Sequence, residues 1–133
     1  MKSKYYNDAI IGNKDMVATF SDKGELLRLL YPNRDFKQSI DFFITGVKIN
    51  DSAFINLHDD INNVYEQNYV GNTNILCTEI ENTYFNLKVE QVDFIPINKD
   101  ILVKKYKFTN NNTITLNTKF FVYSAILTNY NNM

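Results

Sequence analysis

The side chains able to do chemistry are few and dispersed. There is one histidine, His58, followed directly by Asp59 and Asp60, with Glu66 further on. A zinc site takes three or four ligands at usable spacing. His58, the lone Cys77 and scattered carboxylates do not supply that pattern. His58 with Asp59, Asp60 and Glu66 is at best a weak site for a hard cation, since calcium wants several convergent oxygens and a tight turn. A solvated acidic loop is the better reading. Glu79 and Glu81 share a strand face, as do Glu66 and Asn68. Glycosidases work with two carboxyl groups across the scissile bond, but exposed strand faces are ordinarily polar. Cys77 lies in the apolar alternation 75–80 and reads as a buried structural thiol. A nucleophile would need a base and an electropositive setting. The nucleophile elbow, P-loop, dinucleotide fingerprint, zinc-protease and EF-hand patterns are all missing. No catalytic residue, metal ligand or cofactor contact is therefore expected.

Aromatic residues offer a second chemistry. Tyr65 and Tyr69 share a strand face with Gln67, and flat rings can stack on sugars. These two tyrosines are the candidate sugar contacts of a carbohydrate-binding module. The doublets Tyr5-Tyr6 and Phe42-Phe43, and Phe120-Phe121 with Tyr123, place a ring on each face of a strand. Both faces must then be covered, by a second sheet or by a partner. Core and interface are the commoner use of such rings.

The elements that would position these groups are strands. The 133 residues suit one domain, 1–133, with 44% hydrophobic and 22% charged residues. Apolar residues nowhere recur at helical spacing over several turns. Short runs rich in β-branched and aromatic residues alternate instead with turn signals. Strands are expected over 5–11, 15–21 and 25–31, with a hairpin at Asp22-Lys23-Gly24 and a stop at Pro32-Asn33. A polar loop over 34–39 precedes a strand over 40–50, where Gly46 suggests a bulge. A short strand near Phe54, an acidic loop over 56–63, and strands over 64–70 and 74–81 follow. The strand over 84–95 loses its apolar phase between Val89 and Val92, which reads as a bulge at Glu90-Gln91. Strands over 101–109 and 113–127 flank Asn110-Asn111-Asn112, and the tail over 129–133 reads as frayed. The expected fold is all-β, an antiparallel β-sandwich or part of one.

Charge narrows the partners. The net charge is -1 and no basic stripe tracks a groove, so nucleic acid is not expected. Lys104, Lys105 and Lys107, with Lys99 nearby, read as a solvated strand face or a guarded sheet edge. No apolar run approaches membrane-spanning length. The amino terminus carries no secretory h-region, so the segment reads as cytoplasmic or as an internal piece of something larger. Sequons at Asn50 and Asn111 are expected by chance in so Asn-rich a chain.

An ordered series of short segments carries a resemblance. It runs Ile11-Gly12-Asn13, Val17-Ala18-Thr19, Asp22-Lys23-Gly24-Glu25-Leu26, Leu29-Leu30-Tyr31-Pro32, then Asp35 and Phe43 through Gly46. Further on come Asn74-Ile75-Leu76-Cys77-Thr78, Val92-Asp93-Phe94, Asp100-Ile101-Leu102-Val103 and Phe121-Val122-Tyr123-Ser124. In order and spacing this resembles the start of bacterial glucoamylase-like proteins of glycoside hydrolase family 15. The resemblance implies an N-terminal β-supersandwich, here partial, that packs on a catalytic (α/α)6 barrel absent from this chain. α-Glucan hydrolysis would belong to that barrel, so no catalytic residue is carried over. Tyr31, Pro32 and Asp35 match a segment that would face the catalytic domain. The chain departs from the pattern in having no Trp, and 34–38 matches loosely. A partial sandwich leaves strand edges and an apolar face uncovered, so a homo-oligomer through exposed sheet edges is also expected.

Overall fold

A computed structural model describes residues 8–32 and 38–127. They form ten strands: β1 (Ala9–Gly12), β2 (Val17–Phe20), β3 (Leu26–Leu30), β4 (Ile40–Ile49), β5 (Ala53–Asn56), β6 (Asn63–Tyr69), β7 (Leu76–Asn82), β8 (Leu87–Phe94), β9 (Val103–Asn110) and β10 (Thr118–Ile126). Every pairing is antiparallel. Three sheets result, in the orders β1-β2-β3, β10-β4-β5 and β6-β7-β8-β9. The expected all-β sandwich is what the chain folds into.

The four-stranded sheet backs both smaller ones. Its β7 and β8 alternate buried and half-buried positions along nearly their whole length, the mark of a sheet with one face against the core. At one end Leu76 and Ile95 join Ala9, Ile11, Ala18, Phe20 and Leu26 of the first sheet. At the other, Ile80, Leu87 and Val89 pack on Val47, Ile49, Ile55 and Leu57. Phe20, Ile49 and Val47 are fully enclosed, each burial contributing about 1.5–3 kcal/mol.

Four local expectations are corrected. First, β8 carries no bulge at Glu90-Gln91: its register runs unbroken against both β7 and β9. The apparent phase slip arises because Gln91 and Asp93 occupy inward positions with 0% exposure. Second, Gly46 is not bulged but regular between Phe121 and Asn56. Its missing side chain admits the Phe54 ring, whose Cζ lies 2.3 Å from where a Cβ would stand. The register shifts lie instead between Thr19 and Phe20 and between Ala125 and Ile126. Third, the strand expected from 84 begins at Leu87, because 83–86 turn with Asn86 at φ 51°. Likewise, the strand expected from 113 begins at Thr118.

The hairpin at Asp22-Lys23-Gly24 is as expected. Gly24 has φ +85°, and Ser21 fastens the turn through its hydroxyl and carbonyl. A side chain at Gly24 would also meet Thr78 at 3.0 Å. That turn therefore abuts β7, which places the Gly24 carbonyl inside the molecule.

Candidate functional site

The densest polar chemistry is buried where the three sheets meet. Gln91 and Asp93 project inward from β8, Lys104 from the register-paired position of β9, and His58 from the segment after β5. Lys104 Nζ donates to Asp93 Oδ1 at 2.6 Å. Gln91 Nε2 donates to Asp93 Oδ2 at 2.7 Å and to the Gly24 carbonyl at 2.9 Å. His58 Nε2 lies 2.7 Å from Gln91 Oε1. Both hydrogens of the Gln91 amide are thus committed to acceptors, so its oxygen must accept. His58 is then the Nε2–H tautomer, and its buried Nδ1, which has no partner among the described residues, carries the bare lone pair.

The lysine is also ringed by aromatics, one from each sheet. Its Nζ lies 5.1 Å from the Phe20 ring, 5.3 Å from Phe43 and 5.8 Å from Tyr106, within range of cation–π attraction. Burial pulls the Lys104 pKa down, and the Asp93 carboxylate opposes that pull. Burial also holds the His58 imidazole down to about 4, against the Gln91 hydrogen bond and with help from the Lys104 charge. Burial pushes the Tyr106 phenol up. The Thr45 hydroxyl lies close enough to Tyr106 to oppose that rise weakly, but neither hydroxyl, nor His58 Nδ1, makes a full hydrogen bond among the described residues.

Two expectations fall here. His58 does not sit in a solvated acidic loop with Asp59, Asp60 and Glu66: it is 3% exposed and turned into the core. Lys104 does not belong with exposed Lys105 and Lys107, since an inward position of β9 buries it on Asp93. Among the described residues, no three His, Cys, Asp or Glu side chains gather to hold a metal ion. Sequence patterning missed the cluster because inward Gln and Asp mimic a solvent face. The only hint was the broken alternation of β8.

The candidate sugar contacts sit on the same inward-facing side of β6. Tyr65 is half-buried; its hydroxyl donates to the Leu57 carbonyl at 2.8 Å and accepts from Asn63. Burial pushes that phenol up to about 12. The Tyr69 hydroxyl bonds both the amide and the carbonyl of Ile10 at 2.9 Å, tying β6 to β1, while its ring stays 42% exposed. Both hydroxyls are thus occupied within the fold. Tyr31 and Pro32 close β3 and reach the surface, while Asp35 lies outside the described residues. Cys77 is half-buried on the outer face of β7 rather than in the core; burial, then Glu79 and Glu90, push its thiol up. Glu79 and Glu90 stand opposite each other and share Lys88.

The exposed rings gather elsewhere. Phe54, Phe121 and Tyr123, with Lys48, line a shallow depression on the outer face of the β10-β4-β5 sheet. Phe42 and Ile44 continue that face into a groove shared with Glu25, Arg28 and Asp41.

Comparison with known proteins gives one relation. The chain is 28% identical, over 91% of its length, to an uncharacterized glycosyl hydrolase of Methanocaldococcus jannaschii. It spans about a fifth (19%) of that relative. The chain is thus distantly related to a protein named a glycosyl hydrolase. No family model matches it, and no solved structure matches it.

Proposed function

We propose that this chain is the non-catalytic N-terminal β-sandwich of a glucoamylase-like glycoside hydrolase of family 15. In this reading it packs on and orients an (α/α)6 barrel that hydrolyses α-glucan. The observation that carries the reading is the relation just described: nine-tenths of the chain aligns with a fifth of a glycosyl hydrolase. Most of such a protein lies outside the matched part, with room for a separate catalytic domain. The treatment of carboxylates agrees, since the fully buried Asp93 is held by Lys104 and Gln91 in a structural role. Tyr31 and Pro32, with Phe42, Phe54 and Tyr123 among the exposed rings, would supply the surface that meets the barrel, and Asp35 belongs to it by the sequence match alone. Aromatic rings are the usual anchors of such interfaces.

The test begins with the coding sequence after Met133. An in-frame continuation that encodes a helical barrel with paired catalytic carboxylates is expected. A stop codon there would leave the carbohydrate-binding module as the reading to pursue. Glucose release from maltodextrin is expected from the continuous polypeptide and not from residues 1–133 alone. Turnover by the short chain would overturn its non-catalytic role.

A further inference from the structure

We infer that the chain His58–Gln91–Asp93–Lys104 is an acid-sensitive latch, which holds the β2–β3 turn and the segment after β5 on β8 and releases both when His58 gains a second proton. The latch has three attachments to one side chain. Gln91 grips the first sheet through the Gly24 carbonyl, the segment after β5 through His58, and its own sheet through Asp93. Removing any one leaves a buried polar group unsatisfied, which is costly in a low dielectric.

Protonation of His58 adds a proton at Nδ1, which has no acceptor among the described residues. It also adds a positive charge in an enclosure that already holds the Lys104 ammonium. From β8 the charged group facing this site is Asp93, whose two oxygens are engaged by Lys104 and Gln91. From β9 the Lys104 charge acts on it, and from β4 the uncharged Thr45 holds the neighbouring Leu57 amide through its carbonyl. Its own segment brings Asp59 and Asp60, which lie nearer the surface. Among the described residues the one carboxylate of the enclosure, Asp93, is already engaged by Lys104 and Gln91, so the protonated ring gains most by leaving for water.

The sign follows from linkage. The folded imidazole protonates at about 4, against an ordinary 6.5, so between those values the released state binds the extra proton and the latched state does not. The latch is at full strength above 6.5 and weakens as pH falls, by about tenfold per pH unit, until about 4.

The test is amide hydrogen exchange on the 133-residue chain at several pH values, expressed as protection relative to the unstructured chain. The Gly24 amide, bonded to the Ser21 carbonyl, and the Leu57 amide, bonded to the Thr45 carbonyl, report the two released segments. Their protection is expected to fall together by about tenfold per unit below pH 6.5, and to stay flat in His58→Gln. Parallel loss in His58→Gln, or flat protection in the native chain, overturns the proposal. Should that variant fail to fold, nitrogen-15 spectra of the native imidazole decide. A neutral Nε2–H ring persisting to about pH 5 supports the latch, and an Nδ1–H ring or an ordinary midpoint overturns it.

Discussion

Lys104 donates to Asp93 across 2.6 Å, with side chains 10% and 0% exposed, at the point where Phe20, Phe43 and Tyr106 bring the three sheets together. A buried ion pair adds little over a well-packed apolar replacement, but losing one partner strands a charge. Asp93→Asn is therefore expected to cost about 3–5 kcal/mol in urea unfolding at neutral pH. The joint change Asp93→Leu with Lys104→Met should recover at least half of that loss. A cost under about 1 kcal/mol for Asp93→Asn would show that the pair does not organise the core.

Gly46 and Phe54 test a contact of the opposite kind. A Cβ at Gly46 would stand 2.3 Å from Phe54 Cζ and 3.0 Å from the Ile55 carbonyl oxygen. The ring is 52% exposed and can swing outward, so Gly46→Ala is expected to cost about 1–2 kcal/mol rather than unfold the chain. In a Phe54→Ala background the same change should cost less than half as much. Equal costs in the two backgrounds, read in a double-mutant cycle, would show that ring and glycine are not coupled.

The strands and the first hairpin were legible because alternation and turn chemistry act locally. The buried polar chain was not. Periodicity reports which face a residue takes only while inward positions are apolar. Gln91 and Asp93 are inward and polar, so β8 read as slipped when its register is continuous. Their partners come from other strands and turns: Lys104 from β9, the Gly24 carbonyl from the first hairpin, His58 from beyond β5. No local pattern encodes those pairings. Asp93 does belong to Val92-Asp93-Phe94, one of the segments that carried the family resemblance, but the resemblance gave it no role. Gly46 was misread for a related reason, since a glycine that admits a ring and one that permits a bulge look alike in sequence.

Asn13, in the Ile11-Gly12-Asn13 segment, carries a structural task that its side-chain amide alone can perform. Its Oδ1 accepts from the amides of Asp15 and Met16, both at 2.9 Å, shaping the β1–β2 turn. Its Nδ2 donates to the carbonyls of Pro96 at 3.0 Å and Lys99 at 2.8 Å, clamping the β8–β9 connection. Asn13→Ala is expected to lose about 1–3 kcal/mol. Asn13→Asp keeps the acceptor but sets a carboxylate against two carbonyls and the nearby Asp100, so at neutral pH it should be at least as damaging. Thermal unfolding at pH 7 and pH 3 separates the two, because protonation should relieve Asn13→Asp and leave Asn13→Ala unchanged. An aspartate tolerated at neutral pH would mean that the clamp contributes nothing.

The edge strand β10 sets the behaviour of the chain in isolation. Among the described residues it pairs with β4 on one side only. Its inward Phe120 and Val122 are 41% and 49% exposed, and outward Tyr123 is 58% exposed. Its one charged residue, Lys119, is held by Asp51 at 2.9 Å. Natural sheet edges are usually guarded by free charge, proline or a bulge within the strand. Here the register shift comes only at the last step, Ala125 to Ile126. Sedimentation of residues 1–133 is therefore expected to show an apparent mass that rises with concentration. Val122→Lys places a charge in the middle of the edge and should return the chain to a monomer without changing its unfolding free energy by more than about 1 kcal/mol. A native chain that stays monomeric at high concentration would show that this edge is protected after all. Association that persists in Val122→Lys would move the contact to another surface, first of all the Phe54, Phe121 and Tyr123 face.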